Sequence, residues 1–95
     1  MTITEVRVSP RRDPRVRAYV SLVFDDSFVV HGIKVIATDE GRLLLAMPNR
    51  RRRNGSFQDV VHPILPEFRK VVEDTVLAEY NRVLRAGVLR PGQES

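Results

Sequence analysis

Hydrophobic and polar positions alternate residue by residue over the first half of the chain, then recur at helical spacing over its last third. The clearest alternation runs from Arg15 to Phe24, with Val16, Ala18, Val20, Leu22 and Phe24 on one side and Arg15, Arg17, Tyr19, Ser21 and Val23 on the other. A strand is predicted there, preceded by a shorter one over Thr2–Val8 in which Val6 and Val8 oppose Glu5 and Arg7. Pro10, Asp13 and Pro14 break the chain between them, which makes Arg11–Arg15 a charged turn. Asp25-Asp26-Ser27 reads as a tight turn into a third strand, Phe28–Thr38. That strand is apolar on both faces, and Gly32 inside it signals a bulge. A turn at Asp39-Glu40-Gly41 leads to a fourth strand, Arg42–Met47, which Pro48 ends. Asn54-Gly55 is a hairpin signal, so Ser56–Val61 reads as a fifth strand and the run Arg50–Arg53 lies on a hairpin arm or tip.

From Glu67 to Ala86 the spacing becomes helical, with Pro66 or Glu67 at the first positions. Phe68, Val72, Val76, Tyr80, Val83 and Leu84 form one apolar stripe, with Val71 and Leu77 as its shoulders, and Gly87 fits the C-terminal cap. At 1.5 Å per residue this helix is roughly 30 Å long, enough to cross one face of a sheet. The fold class is therefore α+β: a mainly antiparallel five-stranded sheet followed by one long C-terminal helix packed on it. Residues 1–87 form a single domain and 88–95 a flexible tail. One helix cannot cover both faces of a sheet. The other face would expose Tyr19, Val23 and half of the third strand, so a second copy is expected to cover it or to extend a sheet edge, giving a homodimer.

Composition narrows the classes further. The 95 residues contain no cysteine, which removes disulfides, thiolate nucleophiles and zinc ribbons. The longest apolar run is Leu43–Met47, too short for a membrane span, and the first residues lack the basic and apolar regions of a signal peptide. A cytoplasmic protein with no membrane partner is expected. The net charge of +4 is unevenly placed. Residues 1–17 carry +3, 18–40 carry −3, 41–62 carry +4 and 63–95 are balanced. All basic residues except Lys34 and Lys70 are arginine, whose planar fork suits phosphate and guanine edges. Two arginine-rich turns thus flank an acidic middle, and an isoelectric point near 10.3 favours an anionic partner.

Catalytic chemistry finds little support. His31 lies within a strand and His62 before Pro63, and the pairs Asp25-Asp26 and Asp39-Glu40 are turn carboxylates. No metal-ligand spacing and no phosphate-cradling glycine loop occurs, so no catalytic residue, metal, cofactor or small-molecule substrate is expected. Arg50, Arg51, Arg52 and Arg53 on a hairpin would instead set four forks against a phosphate backbone, with Arg11, Arg12, Arg15 and Arg17 as a second cluster of unknown relative position. The common RNA modules do not fit, because Phe24, Phe28 and Phe57 are scattered and the element order differs.

Several segments resemble the bacterial SpoVG family (stage V sporulation protein G). Phe28–Ile36 resembles its FVVH-I-VI signature, Ala46-Met47-Pro48-Asn49-Arg50 its AMPS(K/R) segment, Gly55–Ile64 its G-F-D-AHPI segment and Val76–Tyr80 its VL-EY helix. The resemblance covers about residues 1–85 in family order, and departs from it at the unbroken run Arg50–Arg53 and in the tail. It implies a homodimer that binds DNA and RNA and regulates gene expression, with a link to septation and sporulation. It also implies nucleic-acid contact through Arg50, Arg51, Arg52 and Arg53, with Arg69 and Lys70 as weaker candidates, and a buried, backbone-satisfied His31 with His62-Pro63 as a fixed turn. The competing expectation is a protein–protein adaptor of the division or sporulation machinery without direct nucleic-acid binding.

Overall fold

A computed structural model describes residues 1–87; the expected tail over 88–95 lies outside the described residues. The elements are β1 (Ile3–Pro10), β2 (Val16–Phe24), β3 (Phe28–Ala37), β4 (Leu43–Ala46), β5 (Asn49–Arg51), β6 (Phe57–Asp59) and α1 (Pro66–Arg85). β1 to β4 form an antiparallel meander in chain order, and α1 packs on one of its faces. The expected α+β class is present, with one correction. The fifth predicted strand does not join the main sheet: β6 pairs with β5 in a separate two-stranded hairpin. The reason is local. β4 stops before Pro48, which has no N–H for a ladder, and the chain then folds back on itself at Asn54-Gly55.

The core follows the strand pattern. Ala18, Val20, Leu22 and Phe24 of β2 and Val30, Ile33, Val35 and Ala37 of β3 are buried, facing Val72, Val76 and Tyr80 of α1. Val16 leaves the predicted β2 row, because a register shift pairs it with Ile36 while Ala18 pairs with Val35. The double-sided apolarity of β3 is explained by its bulge. Val20 pairs with Ile33 and Leu22 with Val30, so β3 spends one extra residue there and its inward set changes parity. Gly32 supplies the positive φ, +86°, that the bulge requires.

α1 begins at Pro66 and ends before Gly87, whose φ of +73° and N–H bond to the Leu84 carbonyl (3.0 Å) make the cap. Phe68 stacks obliquely on Phe24 at 6.2 Å. Of the predicted stripe, Leu84 lies largely outside the core, at the last turn of the helix. The opposite face of the sheet is open. Across it Ser9, Tyr19, Lys34 and Ala46 form one row through all four strands.

Candidate nucleic-acid interface

Four consecutive arginines occupy the hairpin. Arg50 and Arg51 belong to β5, Arg52 and Arg53 to the turn beyond it. The turn is closed by backbone bonds from Arg52 N–H to the Ser56 carbonyl (2.7 Å) and from Gly55 N–H to the Arg52 carbonyl (3.0 Å). Asn54 Oδ1 accepts from both the N–H (3.0 Å) and the hydroxyl (2.7 Å) of Ser56, and Gly55 takes φ +89°. All four arginines are exposed, and among the described residues none is paired with a carboxylate.

Register divides them between the two faces of the arm. Arg50 lies opposite Gln58, and the Arg52 Nε donates to Gln58 Oε1 at 3.3 Å. Arg51 lies opposite Phe57, which is 68% exposed. A cationic fork beside a bare aromatic ring offers both a phosphate contact and a stacking surface. From the sequence Phe57 was set aside as one of three scattered aromatics, and Gln58 was not singled out. A two-residue Asn54-Gly55 turn would have set them against Arg52 and Arg51; the loop instead holds three residues, 53–55, closed by Arg52 and Ser56, which moves the register by one.

The weaker candidates stand on α1. Arg69 is half-buried, and the Lys70 ammonium pairs with Asp74 at 3.1 Å, one helical turn away. Among the described residues no hydrogen bond or ion pair joins them to the arginine arm. The second arginine cluster sits at the β1–β2 turn. There the Asp13 carboxylate accepts the N–H groups of Arg15 (2.7 Å) and Val16 (3.0 Å). Those bonds, that of Val16 first, hold its pKa below the usual aspartate range. Arg11 lies with its guanidinium carbon 4.9 Å from the Tyr19 ring centre.

The histidines differ from expectation. His31 is exposed rather than buried, and its Nδ1 meets the Ser21 hydroxyl at 2.7 Å instead of the backbone. The β3 bulge turns it to the open face, where among the described residues no carboxylate hydrogen-bonds to it. His62 Nδ1 lies 3.0 Å from the Pro63 carbonyl, as befits a fixed turn into the helix. Among the described residues no three metal-ligating side chains converge, and no helix is long and apolar enough to cross a membrane. One further feature is apolar: a groove of about 460 Å³ near the start of α1, rimmed by Phe28, Val61, Ile64, Leu65 and Phe68.

The chain is similar to known proteins over most of its length. The SpoVG family model matches residues 1–82. A protein of Anaeromyxobacter sp. (strain Fw109-5) named "Putative septation protein SpoVG" is 49% identical over 87 residues, covering 92% of this chain and 89% of its own. Proteins of the same name from Acholeplasma laidlawii and Bdellovibrio bacteriovorus are 42% and 41% identical, each covering 90% of this chain and respectively 92% and 79% of their own.

Proposed function

Because this chain belongs to the SpoVG family, a family named for septation rather than for an enzyme, we propose that it is a cytoplasmic, homodimeric nucleic-acid-binding regulator of gene expression in septation. The observation that supports this most is the arm. Four exposed arginines without carboxylate partners among the described residues stand on a hairpin outside the main sheet, where a phosphate backbone has free approach. Binding is held by Arg–phosphate pairs and sequence preference is modest, coming from a few base-edge contacts. DNA and RNA both carry the charge that the arm recognises. The link to sporulation rests on the family resemblance alone. Arg69 and Lys70 contribute less, since Lys70 is already paired with Asp74.

The test is affinity for a DNA duplex and for a single strand measured against salt. Replacing Arg50–Arg53 with alanine is expected to flatten the slope of log K against log salt by roughly 3–4 units per protomer on duplex. An unchanged slope, or binding that ignores salt, overturns the phosphate reading. The adaptor reading gains one observation, the groove, whose lining is mostly apolar and suits a protein surface. It would be favoured if the chain bound neither strand.

A further inference from the structure

We infer that the open face of the main sheet is a second nucleic-acid contact, one that takes unpaired bases of a single strand, with Arg11 lying on Tyr19 as its platform and Lys34 as a flanking phosphate contact. The inference rests on the nucleic-acid reading of the arm but concerns different residues on a different sheet.

Arg11 is fixed in place before any ligand arrives. Its guanidinium lies 4.9 Å from the Tyr19 ring centre, and its Nη1 donates to the Ser9 hydroxyl (2.7 Å) and the Pro10 carbonyl (3.1 Å). Its Nη2 and Nε have no acceptor among the described residues, and no carboxylate pairs with it. An arginine held over a ring on one side keeps the rest of its guanidinium free on the other. Bases stack on guanidinium planes, and holding the side chain beforehand reduces the ordering that binding requires.

The surroundings match an anionic strand. Tyr19 is 40% exposed and stands opposite Lys34, whose ammonium has no ion-pair partner among the described residues. The β1 carboxylate on the same face, Glu5, is held by the Arg7 Nε at 2.6 Å, two rows away from Tyr19. Asp13 in the adjoining turn has two backbone amides. Neighbouring strands are about 4.8 Å apart, so the row from Ser9 to Ala46 crosses the open face over about 14 Å. A duplex keeps its bases stacked inside and cannot offer them to that face. An acidic protein has charge but no bases, which makes it the outcome that the experiment separates.

Fluorescence anisotropy with a short oligothymidylate, an abasic strand of the same length and a duplex, at one fixed salt, decides between these. Tyr19→Thr keeps a strand-forming residue but removes the ring. It is expected to weaken oligothymidylate binding about tenfold, with Tyr19→Phe near the parent and the duplex unaffected. Arg11→Gln, outside the strands, tests the platform without touching the fold and is expected to weaken the same ligand. If neither change weakens oligothymidylate, or if the abasic strand or the duplex loses as much, the inference is overturned. Arg50–Arg53 replaced by alanine separates the two ideas. If it alone weakens both strands, the arm reading stands and the open-face inference falls. If the parent chain binds neither strand, both fall together.

Discussion

Gly32 places the whole outer half of β3. Its φ of +86° lets one extra residue enter the strand, so Val30 and Ile33 both point inward while His31 and Lys34 reach the open face. A Cβ added there would lie 3.8 Å from Pro48, an ordinary contact, so crowding is not what excludes a side chain. The dihedral is. Gly32→Ala is expected to cost about 1–2 kcal/mol in urea unfolding. A smaller loss would mean that the bulge can relax into a regular ladder. Asp13 carries a different prediction at this scale. Its pKa is depressed in the folded chain by the amides of Val16 and Arg15, so its contribution is present above the ordinary 3.8 and is lost as pH falls through the lower folded value. The Arg15 and Val16 amide shifts, followed by NMR, should therefore titrate with a midpoint below that of an ordinary aspartate. In Asp13→Asn, which has no carboxyl to protonate, that titration should vanish; a midpoint at the ordinary value would show that the turn is not held by this carboxylate.

Among the elements, α1 and the arm illustrate two degrees of legibility. The helix was readable in full because its signals are local: Pro66 at the start, Gly87 at the end and apolar residues at helical spacing between them. Leu84 and the shoulder Val71 were misplaced: both are exposed, because they lie off the face that carries Val72, Val76, Tyr80 and Val83 into the core. For the arm, the arginine run and the Asn54-Gly55 turn fix a hairpin, but no local signal says whether that hairpin continues the main sheet. That depends on where the chain travels after Pro48, a tertiary matter. The Arg11–Tyr19 contact was hidden for the same reason, because it exists only once β1 and β2 are in register. The arm's separation has a measurable consequence. β5 and β6 are three residues each, exposed throughout, whereas Val20, Ile33 and Val35 are sealed under α1. Arm amides should exchange with solvent orders of magnitude faster than those three. Equal protection would show that the arm is packed against something in the assembled protein.

At the scale of the molecule, the question is what covers the apolar surface left by a single helix. The sequence pointed to the open sheet face, but Tyr19 there lies under Arg11, and Val23 is half-buried. The more exposed apolar side chains are elsewhere, on and around the groove at the start of α1: Phe28 at 66%, Val60 at 55%, Leu65 at 59% and Ile64 at 84%. A monomer seldom leaves such a set in water. Among the described residues no Asp, Glu, Lys or Arg side chain lines that groove, so no acidic or basic side chain there repels an identical surface. In the proposed homodimer a twofold axis would bring each Ile64 to the partner's groove. The arginine arm and the open face would then stay free in both protomers, and such a dimer would present two of each to the proposed nucleic acid, raising avidity without any new contact. Analytical ultracentrifugation at micromolar concentration should give twice 10.9 kDa for the parent chain, and Ile64→Glu should return it to 10.9 kDa. The variant replaces an exposed residue and leaves the core intact, so it should keep the parent's circular dichroism and lose only its partner. A dimer that survives Ile64→Glu would move the interface away from this groove, and a parent chain that sediments at 10.9 kDa would remove the dimer altogether.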